Sequence, residues 1–224
     1  MTLTKRFSDP LDCLTAHLIF QCSEVLADVK PANLIALPNR QRCCGRNLYQ
    51  LWQQYHDELE TTLYNLTFKV IRQTDDSILL FCFNPALLET HLAHNGIRVL
   101  LSKSGYDINA TLDELIDELG KRASSSKGFP HEIGLFIGYP AKDVAAFMGL
   151  AKLPFTCQGP WKVFGCPQKS IALANRHKSS RRIIRNMIEH CSSINECLQN
   201  INHLKPVFYH ANETSYQYHA KHVN

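Results

Sequence analysis

His131 and Glu132 stand side by side in the segment FPHEIGLFIGYP, Phe129 to Pro140. Imidazole is the side chain whose ordinary pKa lies near neutrality, so His131 is the candidate catalytic group for proton transfer. Glu132 is a poor second member of a dyad. If Ile133 to Ile137 is a buried strand, alternation sends the two side chains to opposite faces. The competing reading fastens either residue to a sheet edge.

Further along, Gly138-Tyr139-Pro140 reads as a strand-to-helix turn. A helix N-terminus presents free N–H groups and a positive dipole end, which suit a phosphate or carboxylate. Gly138, Tyr139 and Lys142 are therefore candidate anion-binding residues. The spacing is neither a P-loop nor a dinucleotide fingerprint. In Trp161-Lys162-Val163-Phe164 a strand would place Lys162 opposite Trp161 and beside Phe164.

The nine cysteines contain no Cys-x-x-Cys pair, which excludes a zinc ribbon, a thioredoxin motif or a ferredoxin-type cluster run. His190, Cys191, Cys197 and His203 come nearest to a zinc set. Their five-residue gaps fit no ordinary module, so no metal site is expected. No cofactor is identified. Reduced thiols packed as small hydrophobes suit a cytoplasmic protein.

Charge is divided unequally. Residues 1–150 carry 14 Lys/Arg against 17 Asp/Glu, whereas residues 151–224 carry 10 against 3. In a helix over 167–190, Lys178 and Arg182 stand four apart, as do Arg181 and Arg185, and form one basic stripe. Ile183, Ile184, Met187 and Ile188 would anchor the helix on the neighbouring face. Such a stripe can steer an acidic partner. Nucleic acid is disfavoured because no aromatic residues interleave with the cluster.

These residues need elements to carry them. Ser8-Asp9-Pro10 opens a helix whose stripe is Leu11, Leu14, Leu18, Cys22 and Val25, ended by Lys30-Pro31. Asn33 to Leu37 reads as extended. A basic loop, Arg40 to Arg46, precedes a helix through Leu48, Leu51, Trp52, Tyr55 and Leu59. Leu66, Phe68 and Val70 alternate, Asp75-Asp76 turns, and Ile78 to Phe83 is an apolar run, which predicts a hairpin with a central second strand. Asn84-Pro85 starts a helix to about His94, stopped by Asn95-Gly96. Ile97 to Leu101 fits either strand or helix. Leu112 to Leu119 is helical, Ser124 to Gly128 is a linker, and Pro140 opens a helix to about Met148.

The expected fold class is α/β of the mixed α+β kind. A small central sheet with a β-hairpin is flanked by several helices, with a C-terminal helical extension. Residues 1–190 would form one domain, and 191–224 the extension with its polar tail. A chain of 224 residues, 45% hydrophobic and 20% charged, can bury a core without disulfides, which excludes fibrous and low-complexity classes. No apolar run approaches the about 20 residues of a membrane span. Asp9, Asp12 and His17 interrupt the only stretch resembling a signal peptide.

FPHEIGLFIGYP, Lys30-Pro31-Ala32, Gly105-Tyr106, Gly159 and the run Trp161 to Gly165 resemble the bacterial family known as domain of unknown function 3793, over roughly residues 10 to 180. That family brings no activity with it. Its members are sometimes encoded near flavodoxins, which implies an acidic, flavodoxin-like redox protein as a partner. Relatives often carry a cysteine where this chain has Pro160, so a thiol site beside Cys157 is not expected. Lys30 and Lys162 are the lysines in matching segments. If both reach the Gly138 turn, they form with Lys142 a pocket for an anionic small molecule, with His131 as proton-transfer group. The alternative is a non-enzymatic partner of an acidic redox protein, docked through Lys178, Arg181, Arg182 and Arg185.

Overall fold

The computed structural model describes residues 7–125 and 128–203. The polar tail and part of the Ser-rich linker lie outside the described residues. Helices α1 (Pro10–Gln21) and α2 (Ser23–Leu26) lead into strand β1 (Ala32–Pro38), helix α3 (Leu48–Thr62) and the hairpin β2 (Thr67–Gln73) and β3 (Ser77–Phe83). There follow α4 (Pro85–Leu92), α5 (Asn95–Lys103), α6 (Leu112–Ala123), α7 (Ile133–Phe136) and α8 (Ala141–Phe147). A small second hairpin, β4 (Phe155–Gln158) and β5 (Lys162–Phe164), precedes the long helix α9 (Gln168–His190). A last described helix, α10, covers 194–203. The fold is mixed α/β, as the sequence predicts.

The main sheet is antiparallel in the order β1-β3-β2, so the apolar run is indeed central. Strand alternation explains its composition. Ile78, Leu80 and Cys82 enter one core with α1, α2, α3, α9 and α10, while Phe81 and Phe83 enter a second core with α4 to α8. The sheet is thus covered by helices on both faces. Capping side chains set several helix starts: Asp9 accepts from Asp12 N at 2.9 Å, and Thr111 and Glu114 form a reciprocal capping box on α6. Cys191, Ile194, Cys197 and Ile201 all lie in the first core.

Three local expectations are corrected. Asn95-Gly96 opens α5 instead of ending α4, with His94 as its N-cap, and Ile97 to Leu101 is helical. Ile133 to Ile137 is not a strand but the short helix α7 and its cap. Gly138, at φ 79°, terminates it: Gly138 N bonds Leu135 O at 3.2 Å and Tyr139 N bonds Gly134 O at 2.8 Å. Those two bonds are the Schellman pattern that closes a helix on a left-handed glycine. Consequently Gly138-Tyr139-Pro140 joins two helices, α7 and α8, and is not a strand-to-helix turn. A short run that is apolar on every side carries no period, which is why it reads equally well as a strand.

Candidate functional site

The Gly138 turn packs on the chain just before β1. A Cβ added at Gly138 would lie 2.5 Å from Pro31 Cδ and 3.7 Å from Lys30 Cγ, so the glycine is required by space as well as by φ. This contact brings two of the family-like segments together. Lys30 is buried, donates to Asn33 Oδ1 at 2.9 Å, and sets its Nζ 5.3 Å from the centre of the Tyr139 ring. Burial lowers its pKa to about 8, against the opposing pull of Glu24. Tyr139 stacks on Trp161 at 4.6 Å, and Trp161 meets His177 edge-on at 5.9 Å.

Behind these rings lies an ion pair, buried at its carboxylate end, that the sequence does not announce. Glu24, 4% exposed, accepts from Arg181 Nη2 at 2.8 Å and Nε at 3.1 Å. His177, from the same helix, has its pKa lowered to about 4, first by burial and then by the charges of Lys30 and Arg176. His177 was legible in principle, because it shares a helix face with Ile184 and Ile188, seven and eleven residues on. Glu24 was not, since the charge of a residue gives no sign that its partner is 157 positions away.

Lys142 and Lys162 do not join Lys30. Lys142 Nζ donates to Asp143 Oδ1 and to Phe164 O, both at 2.6 Å. Asp143, 1% exposed, also accepts from Trp161 Nε1 at 2.9 Å, Ser170 Oγ at 2.6 Å and Phe164 N at 2.9 Å. Burial pushes this carboxyl up, but Lys142 and the other donors outweigh it and hold its pKa below the usual range. The first turn of α8 therefore already contains a buried carboxylate, which opposes a second anion there.

Lys162 lies on the other side of its strand, as alternation predicts, with Trp161 and Val163 buried and Phe164 half-buried. Its Nζ sits 5.4 Å from the Phe147 ring centre, and His131 meets the same ring edge-on at 4.9 Å. Phe147 thus joins two expected site residues, and on the Lys162 side of β5 the Phe164 ring meets Phe155 edge-on at 6.0 Å. Glu132, in contrast, is buried and accepts from Tyr106 Oη at 3.3 Å and Arg122 Nη1 at 3.2 Å. Its separation from His131 comes from a helical turn and not from a strand.

On α9, Lys178, Arg182 and Arg185 are exposed, while Arg181 is tied to Glu24. Arg181 and Arg185 both lie over the Phe20 ring, at 5.7 and 5.0 Å. The basic stripe is therefore partly committed to α1 and α2. A cleft of about 460 Å³ lies elsewhere, between Thr61 to Asn65 and α10, and contains none of the expected site residues.

With the fold and these contacts in place, the matching of the segments has a physical meaning: Lys30-Pro31, Gly138-Tyr139 and Trp161 are neighbours in one packed corner. The model of a family described as a protein of unknown function, DUF3793, matches residues 18–198. The chain belongs to this family. No curated protein and no solved structure matches it. Membership in the DUF3793 family supplies kinship but no reaction. Among the described residues, no helix is long and apolar enough to cross a membrane.

Proposed function

We propose that this DUF3793 protein binds an acidic protein partner through the face formed by Phe147, Lys162, Phe164 and Phe155. The observation that carries this reading is a segment with charges of one sign. From 144 to 188 the chain has no Asp or Glu and eight Lys or Arg. The same segment exposes large apolar groups: Phe155 is 57% exposed and Phe147 44%. Lys162 stands at the edge of this face, its Nζ 5.4 Å from the centre of the Phe147 ring, and apolar groups beside a cation are the complement of an acidic surface carrying apolar anchors. A flavodoxin-like redox protein, expected from the family resemblance, is the partner class adopted. A small anion at the Gly138 turn has less support, because Lys30 and Lys142 already donate to protein acceptors and Asp143 occupies the next turn.

Titration with a purified flavodoxin tests the proposal. Binding is expected to weaken steeply as salt rises past the point where the Debye length falls to about 10 Å, near 0.1 M. Lys162→Glu and Phe155→Ser should each weaken it about tenfold, or about 1.4 kcal/mol, with circular dichroism unchanged. Affinity insensitive to salt and to both substitutions overturns the proposal. So does tighter binding of a single-stranded oligonucleotide, which would make this a nucleic-acid surface.

A further inference from the structure

Two thiols face one another in the interior. Cys22 Sγ lies 2.8 Å from Cys82 Sγ, and both residues are fully buried. Cys22 occupies the break between α1 and α2, where the backbone leaves the helix at φ −97° and ψ 15°. Cys82 is the penultimate residue of β3, paired with Asn33 on one side and Phe68 on the other. A disulfide needs its sulfurs about 2.05 Å apart with the Cβ atoms turned towards each other. Two thiols already in sulfur-to-sulfur contact require only a small further approach.

We propose that Cys22 and Cys82 form a dithiol–disulfide couple, oxidised by a small disulfide such as oxidised glutathione. The geometry carries the inference without reference to the docking face. When the chain opens locally at the α1–α2 junction, the Cys22 sulfur, as thiolate, attacks one sulfur of the oxidant, breaking its S–S bond and expelling one thiolate, which takes up a proton. The Cys82 sulfur then attacks the Cys22 sulfur of the mixed disulfide and displaces the second thiol. The protein loses two protons and two electrons, and the oxidant gains them as two thiols.

The position gives the bond a consequence. It would tie the α1–α2 junction, two residues before Glu24, to the strand next to Asn33, the acceptor of Lys30. Oxidation would thereby fix the two elements that hold the buried Lys30 and Glu24 groups.

The full chain, refolded in a glutathione redox buffer, is quenched with iodoacetamide in denaturant, digested and mapped by mass spectrometry. The expected result is a peptide pair joined through Cys22 and Cys82, two hydrogens lighter than its parts and separated by dithiothreitol. The oxidised protein should keep its circular dichroism spectrum and melt at a higher temperature than the reduced one. Recovery of both cysteines as alkylated thiols, while exposed Cys43 or Cys166 carries glutathione, overturns the proposal. A Cys22–Cys82 link found only in protein that has lost its folded spectrum also overturns it.

Discussion

Single buried side chains set how this protein responds to acid. His177 and His17 are both 7% exposed, and burial leads the lowering of their pKa values to about 4 and about 3. In the unfolded chain each takes up a proton near 6.5. Between 6.5 and 4 the unfolded state therefore binds protons that the folded state refuses, and stability falls as pH drops through that window. It is fully present above about 6.5. For His177 the linked loss is on the order of 3 kcal/mol, complete below about pH 4. Urea midpoints measured from pH 7 to 4 should decline, and His177→Gln should decline less steeply over the same range, the remainder coming from His17. An equally steep decline in the variant would assign the acid sensitivity elsewhere.

At the scale of elements, the α7–α8 turn shows how one glycine positions a corner of the fold. Gly138 combines a left-handed φ with a Pro31 atom where its Cβ would stand. Gly149 is also left-handed, at φ 75°, but has nothing within 4 Å. Gly149→Ala should therefore cost only the conformational term, about 1–2 kcal/mol. Gly138→Ala should cost that plus about 1–3 kcal/mol for the forced shift of Pro31. Chemical denaturation of the two variants separates the terms. Equal losses would mean that the Pro31 contact relaxes without cost.

For the molecule as a whole, the first core depends on both ends of the described chain. Phe7 at one end and Ile194, Cys197 and Ile201 at the other are buried in it. Burying a Val/Leu/Ile-sized side chain contributes about 1.5–3 kcal/mol. A chain ending at residue 203 should thus unfold cooperatively, whereas one ending at 190 should lose at least about 3 kcal/mol and bind a hydrophobic dye. If both truncations melt alike, α10 adds nothing to the core.

The sequence by itself determined the elements whose patterns are local. Leu48, Trp52 and Leu59 repeat at helical spacing and do form α3, while Ile78 to Phe83, apolar on both faces, is the strand with neighbours on each side. Asp9 and Asn84 mark helix starts because a cap needs only the next three residues. The corner containing Lys30 was half legible: the segments that converge there could be singled out, but not their contact. Tertiary structure decided that Ile133 to Phe136 is helical, because burial on all sides removes the period that distinguishes helix from strand. It also decided which charges are free. Lys142 is spent on Asp143 and Arg181 on Glu24, while Lys162 remains at the surface. Charge is a property of one residue, but its availability depends on which distant group the fold sets against it.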